Sequence, residues 1–426
     1  MQIEPLDPQI VRMLDLQRQV LDRVVARLDL DTIALESLGD EELWQRAESA
    51  IVDLVETLDS AGEVPNYIDQ DALIKESLNE TLGLGPLEDL LADAEVSEVV
   101  VDRRDRILVN RGGENLIGSG KAFSSDEAFQ RVVERLVAST GTFINSDMPL
   151  VTARLRDGSR ITAAIPPVAV NGVCFTLRKP GAGTHTLQSL IDQSVISAEI
   201  ADFLNTCVVA RCNVLVCGGG TSGRTDVLSA LANAAPAGER VVSVEEVAEL
   251  SVDRDDWVAL EARPGDAGGT PEVGLEDVLR SALRMRPDRL VVGDVRGGEA
   301  MELVSAMASS CDGVVAAIGG GGAQAALSRL TAMARLAAPG ASVDALRELA
   351  ASAVDVVVYV ARYADGGIRV AGVEEVVGAT AQGIDVRQLF RFDGAEAGFS
   401  AAGVIPEFYA QLEARGIPAD TSIFRT

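Results

Sequence analysis

Val214-Leu215-Val216-Cys217-Gly218-Gly219-Gly220-Thr221-Ser222-Gly223-Arg224-Thr225 runs from an apolar strand into a glycine-rich turn. Val227, Leu228, Ala230 and Leu231 then recur at helical spacing. Strand, glycine turn and helix in that order are the context a phosphate-binding loop requires. Glycines let successive backbone N–H groups turn inward around a phosphate, and the helix N-terminus adds partial positive charge. The candidate nucleotide-binding residues are therefore Gly218, Gly219, Gly220, Thr221, Ser222, Gly223, Arg224 and Thr225, with the Thr225 hydroxyl as the candidate magnesium ligand. The spacing is G-x-x-x-x-G-R-T, with arginine where the usual pattern has lysine. A glycine turn of this kind can also be a plain turn, so a second signal is needed. Leu290–Gly293 supplies it: an apolar run ending in Asp294, a carboxylate that a RecA-type sheet would set beside the loop. An acid that merely ends a strand would read the same way.

Outward from the loop, Val241-Val242, Leu290-Val291-Val292 and Val314–Ile318 are apolar without alternation, as strands buried on both faces are. Leu275, Val278, Leu279, Ala282 and Leu283 space a helix between the second and third of these four strands. The rhythm predicts a parallel sheet between helical layers. Upstream, Pro180-Gly181-Ala182-Gly183 is a hinge-like linker. Before it lies a mixed α/β stretch with strands at Val96–Val101, Arg106–Val109, Val151–Arg154, Ser159–Ile165 and Val173–Arg178. Turns fall at Asp157-Gly158 and Pro166-Pro167, and Ser124 to Glu127 fits a capping box. Residues 8–30, 40–58 and 70–83 carry helical apolar stripes. The expected domains are a helical module over 1–82, an α/β domain over 83–180, a linker over 181–187 and the phosphate-loop domain over 188–426.

Composition bounds the function. With 426 residues there is room for two or three cores. No signal-peptide pattern opens the chain and no apolar run approaches the ~20 residues that cross a bilayer, so the expectation is a cytoplasmic protein without direct membrane insertion. A net charge of −28 repels phosphate backbones, which argues against a nucleic-acid partner. The five cysteines form no C-x-x-C pair, so reduced, mostly buried thiols are expected and a zinc site is not. Lysine occurs only at 75, 121 and 179.

With loop and acidic strand placed, the chain resembles the CpaF/TadA family of tight-adherence (Flp) pilus ATPases, within the type II/type IV secretion ATPase superfamily. The resemblance is carried by Gly83-Leu84-Gly85-Pro86-Leu87-Glu88, Ala153-Arg154-Leu155-Arg156-Asp157-Gly158-Ser159-Arg160, Ile165-Pro166-Pro167 and Thr176-Leu177-Arg178-Lys179. The most specific strings are Leu283-Arg284-Met285-Arg286-Pro287-Asp288-Arg289 and Val292-Gly293-Asp294-Val295-Arg296-Gly297-Gly298-Glu299-Ala300. It implies an α/β fold: a RecA-like P-loop domain preceded by a smaller PAS-like α/β domain and the helical module. It also implies ATP and Mg2+ as cofactors, a homo-oligomer (a hexameric ring), and docking on inner-membrane platform proteins. By the same resemblance Arg154, Arg160 and Arg178 reach the phosphates, though they also fit a surface strand face. Glu245 polarises the attacking water, though it could instead end a strand. Asp294 stands at the second catalytic acid. The helical module favours the pilus branch over a conjugation ATPase.

The departures from the family fall on the chemistry. Arg224 replaces lysine, and a planar guanidinium should not fit a nest shaped for an ammonium. Thr221 stands where the family has glycine, and a β-branched residue at positive φ would cost roughly 1–3 kcal/mol. Asp294 is shorter than the family's glutamate by ~1.5 Å, about one C–C bond. Cys311 and Gly319 replace two histidines, leaving His185 as the chain's only one. Phosphoryl transfer depends on positioning and electrostatics, so two readings stand. One is a ring subunit with weak or no hydrolysis, alone or paired with an active paralogue. The other is an active ATPase motor using rearranged arginines.

Overall fold

The computed structural model describes residues 7–30, 40–111, 116–179, 185–263, 265, 271–309 and 311–425. Most of the expected 181–187 linker lies outside them, as does Ser310, the residue before Cys311. The chain forms two compact units, 1–182 and 183–426.

In the first unit, α1 (Pro8–Leu28), α2 (Glu41–Ser60) and α3 (Gln70–Leu82) bury one stripe each: Leu16, Val20 and Val24 against Ile51, Val55, Leu58 and Leu73. Asp7, Asp40 and Asp69 cap the three N-termini by accepting the N–H two residues on. After the short α4 (Leu87–Ala92) come β1 (Val96–Arg103), β2 (Arg106–Arg111), β3 (Leu116–Gly118), α5 (Asp126–Ala138), β4 (Leu150–Arg154), β5 (Arg160–Ala164) and β6 (Cys174–Arg178). The strands form one antiparallel sheet in the order β3-β2-β1-β6-β5-β4. Phe129, Val132, Val133 and Leu136 of α5 share a core with Val99, Val101, Ile161 and Leu177 of the sheet. The helix cap is Ser125, one residue beyond the expected Ser124: the Ser125 hydroxyl accepts from Ala128 N–H, while Ser124 N–H donates to Glu80. Arg135 joins this domain to the helical module by donating to the carbonyls of Glu80, Thr81 and Gly83, the orphan acceptors at the end of α3.

The second unit holds α6 (Leu187–Asp192), α7 (Ala198–Ala210), β7 (Val214–Gly218), α8 (Arg224–Asn233), β8 (Val241–Glu245), β9 (Trp257–Glu261), α9 (Leu275–Leu283), β10 (Arg289–Val295), α10 (Glu299–Ser309), β11 (Val315–Gly319), α11 (Ala323–Ala337), α12 (Val343–Ala353), β12 (Val356–Arg362), β13 (Ile368–Thr380), β14 (Gly383–Phe392), β15 (Phe399–Ala401) and α13 (Tyr409–Ala414). Its sheet runs β15-β14-β13-β12-β7-β11-β10-β8-β9, parallel from β12 to β9 and antiparallel beyond β12. Every residue of β7 and β8 is buried, which is why their sequences show no alternation. One core lies between the sheet and α7–α8, the other between the sheet and α9–α12. Four strands the sequence reading did not place, β12 to β15, extend the sheet past β7. The tail, for which the sequence suggested no role, closes the first core: Phe408, Tyr409 and Phe424 gather on Phe203 of α7, with Phe390 of β14 beside them. All five cysteines are free, and only Cys174 is not fully buried.

Candidate phosphate site

The loop leaves β7 at the carboxyl end of the parallel strands, between β11 and β12, where open α/β sheets form their binding crevices. Gly218 has no room for a side chain, since a Cβ there would collide with the Ser222 hydroxyl and the Val360 carbonyl. The turn closes as Ser222 N–H and hydroxyl both reach the Gly219 carbonyl, at 3.3 and 2.9 Å. The left-handed residue is Gly223, φ 81°, at the N-cap of α8. Thr221 is not among the residues at positive φ, so the strain expected there does not exist. It is exposed instead, and its carbonyl accepts from Arg362 Nε at 3.1 Å. No side chain caps α8, so the first-turn N–H groups behind Gly223 remain a place for an anion. Thr225 sits half-buried in that first turn.

Arg224 does not lie idle beside the loop. Its Nη1 donates to Asp294 Oδ1 at 2.6 Å and its Nη2 to Oδ2 at 3.2 Å, a two-pronged ion pair in which the arginine side chain is only 11% exposed. Arg296 Nε donates to the same Oδ2 at 2.9 Å, and Arg296 Nη1 to Glu246 Oε2 at 2.9 Å. The misfit expected for a guanidinium is thus resolved by turning it onto the acid of β10. Four groups form one chain of alternating charge: Arg224, Asp294, Arg296, Glu246. Hydrogen bonding to Asp294 is the main cause that holds the Arg296 guanidinium more basic than usual.

Glu245, at the end of β8, is buried, and burial pushes its carboxyl up to about 7. Its Oε2 accepts from Glu249 and Leu250 N–H at 2.7 and 3.0 Å, which partly offsets the burial, while Oε1 has no hydrogen-bond partner. It packs against Gly293, where a Cβ would sit 3.1 Å from its Cγ. A carboxyl of this kind can exchange a proton near neutrality.

Gly319, where the resemblance puts a histidine, ends β11 opposite Gly218. The vacated space is taken by an arginine that sequence reading missed: a Cβ on Gly319 would lie 3.2 Å from Arg329 Nη1. Side chains on a helix lean toward its N-terminus, so Arg329 of α11 reaches back over that glycine. His185 instead meets the first turn of α8, its Nε2 3.6 Å from Asp226 Oδ1; burial raises that carboxyl and His185 lowers it in part.

Arg154, Arg160 and Arg178 come together in the first unit. The hairpin built by Asp157, whose carboxylate accepts from Ser159 N–H, sets Arg154 opposite Arg160. Arg160 in turn pairs with Arg178, and Arg178 with Glu98, whose carboxylate takes Arg178 Nε at 2.6 Å.

The specific strings have plain structural work. Asp288 and Arg240 bind each other's backbone, tying the start of β10 to that of β8, and buried Arg289 donates to Glu239 at 2.6 Å. Glu299 accepts from Arg296 and Gly297 N–H at 2.6 and 2.8 Å, fixing the turn that carries Arg296. Lys179 Nζ holds the Asp93 carbonyl at 2.6 Å.

A magnesium ion would need oxygen ligands free to approach near-octahedral geometry. Thr225 offers a hydroxyl, but both oxygens of Asp294 already accept guanidinium hydrogens. The residues present do not fit the metal.

Residues 80–383 match the family described as Type II/IV secretion system protein. A putative conjugal transfer protein of Mycobacterium tuberculosis is 34% identical over 298 residues, covering 68% of this chain and 84% of the relative. Type IV secretion system protein PtlH of Bordetella pertussis is 31% identical over 316 residues, covering 67% and 91%. Protein VirB11 of Agrobacterium fabrum is 28% identical over 295 residues, covering 60% and 84%. The crystal structure of the pilus retraction motor PilT with bound ADP shares the fold at a TM-score of 0.50 and 16% identity, covering 70% of this chain and 84% of PilT. On the match across most of its length, this chain belongs to the type II/IV secretion system protein family.

Proposed function

We propose that the chain is a subunit of a secretion or pilus-assembly ring of the CpaF/TadA type, whose phosphate loop binds nucleotide but hydrolyses it weakly or not at all. It would work as a homo-oligomer, a hexamer or a ring shared with an active paralogue, on platform proteins at the cytoplasmic face of an inner membrane. Among the described residues no helix is long and apolar enough to cross a membrane, so contact with the bilayer would run through those partners. The relatives' names, conjugal transfer, type IV secretion and pilus retraction, support a machine at an envelope and leave the branch open.

The observation that carries the weak-hydrolysis reading is the Arg224–Asp294 pair. The loop cation and the strand acid, which in a working phosphoryl-transfer site face phosphate and metal, here satisfy each other. A second reading, an active motor, is favoured by Glu245: a carboxyl held near 7 with one oxygen unpartnered has the character of a base. Arg154, Arg160 and Arg178 would serve nucleotide in either case.

Phosphate release from ATP by the purified full chain separates the two. Release at background, unchanged by Glu245→Gln, is expected. Turnover at motor-like rates, ~1 per second or above, abolished by Glu245→Gln, would refute the weak-hydrolysis reading. Arg224→Lys is the gain-of-function probe.

A further inference from the structure

The geometry points to a phosphate site that takes polyphosphate anions without a divalent cation, with arginines standing where the metal and its partners would be. The inference rests on the reading that the loop binds nucleotide phosphates, and it concerns what neutralises them there.

Three observations converge. First, both oxygens of Asp294 are engaged by arginine. Arg224 takes both of its oxygens and Arg296 shares one, and Arg224 is nearly enclosed. A metal arriving with its waters would have to compete with a charge-assisted, two-pronged contact of the strong kind. Second, the cations around the loop come from four separate elements. Arg224 opens α8, Arg296 follows β10, Arg329 lies over Gly319 beside the first loop residue, and Arg362 at the end of β12 holds the Thr221 carbonyl. Third, the geometry suits oxyanions. A guanidinium presents paired N–H groups matched to phosphate oxygens and is less strongly hydrated than an ammonium or a magnesium ion.

Asp294 then acts as a competitor for the ligand. Each phosphate oxygen that Arg224 meets must draw it from Asp294, so the carboxylate sets affinity by holding the arginine back. This gives the inference a sign opposite to that of a metal site. If Asp294 ligated a metal, losing its charge would weaken binding in magnesium. If Asp294 restrains Arg224, losing its charge strengthens binding with or without magnesium.

The test is calorimetric titration of the full-length chain with pyrophosphate and with ADP, in EDTA and in excess magnesium. Affinities within about threefold of each other in the two buffers are expected, and Asp294→Asn should tighten both by about tenfold, equivalent to ~1.4 kcal/mol. Arg329→Ala, a change at an exposed side chain that leaves the core untouched, should weaken pyrophosphate in EDTA by about three- to tenfold. Binding that is tenfold or more tighter in magnesium overturns the inference, as do weakening by Asp294→Asn or no binding in either buffer. Phosphate release from ATP measured on the same samples keeps the two claims apart. Magnesium-dependent binding without turnover defeats only the metal-free site, whereas turnover defeats the weak-hydrolysis reading whichever buffer supports binding.

Discussion

Two arginine clusters in this chain are built on opposite principles. On the sheet of the first unit, Arg154, Arg160 and Arg178 stand directly opposite one another on adjacent strands, with Glu98 at the end of the row. At the carboxyl ends of β8 and β10, arginine and carboxylate alternate: Arg224, Asp294, Arg296, Glu246. Like charges set opposite each other on a sheet repel whatever other partners each has, so an anion bound across the first row would relieve that repulsion. The second gains less, because an anion must draw Arg224 away from Asp294. The difference teaches that a loop can keep its glycines, its helix and its positive side chain and still have its electrostatics directed inward.

The largest effect expected from breaking the matched cluster follows Asp294→Ala. It would leave Arg224, almost enclosed, without its carboxylate. Removing one partner of a buried pair costs roughly 3–5 kcal/mol. Asp294 is itself a quarter exposed, so a loss near the low end, ~3 kcal/mol, is expected in urea unfolding of the full chain. A loss below ~0.5 kcal/mol, typical of exposed ion pairs, would mean that the two clusters do not differ as argued.

Glu245 sharpens the comparison from beside the matched cluster, because its hydrogen bonds come from backbone N–H groups and not from arginine. Burial raises it from an ordinary 4.5 to about 7. Between those values the unfolded chain releases the proton before the folded one does, so the folded state binds more protons and stability falls as pH rises. The contribution is whole below the unfolded value and lost above about 7. Glu245→Gln keeps an oxygen for the Glu249 and Leu250 N–H groups and cannot ionise. The variant should therefore lose about 1–2 kcal/mol less than the parent between pH 5 and pH 8, where one pKa unit corresponds to ~1.4 kcal/mol. Urea unfolding at several pH values reads this directly. Glu80 and Glu374, also pushed up to about 7 by burial, give the same sign and remain in both proteins.

What was legible in the sequence follows from how each element is buried. Strands β7, β8, β10 and β11 show as unbroken apolar runs because helices cover both faces, and α1 to α3 show as stripes because each has one wet side. Strand β9 leaves no unbroken apolar run because, at the sheet edge, none of its residues is fully buried. In β13, pairing shifts register once against β12 and twice against β14, which breaks the two-residue period. Individual loop residues were legible as a motif, but their pairing was not. Arg224 meets Asp294 across 70 positions, and Arg362 meets Thr221 across 141. Only the sheet order brings such pairs together. Thr221 is instructive in another way. Its position against the family predicted strain, yet the turn places its left-handed residue two positions later, on Gly223. Arg329 left no motif at all, since what defines it is the space above Gly319.

The smallest effect tests the other side of the comparison. Arg160 is the middle member of the arginine row, flanked in register by Arg154 and Arg178. Arg160→Thr removes the charge that faces Arg154 and Arg178 and puts a good strand former in place. Where no anion is present, the variant should be more stable by about 0.5 kcal/mol, within the range of single cross-strand pairs. The gain should shrink as salt screens the repulsion. Thermal unfolding at low and high ionic strength reads both quantities. A variant that is less stable than the parent at low salt would mean that the contacts Arg160 makes within the chain outweigh the repulsion, and the contrast between the clusters would fail on this side. A stabilised variant with weaker nucleotide binding would show instead that the row exchanges stability for affinity, as an anion site assembled from like charges must.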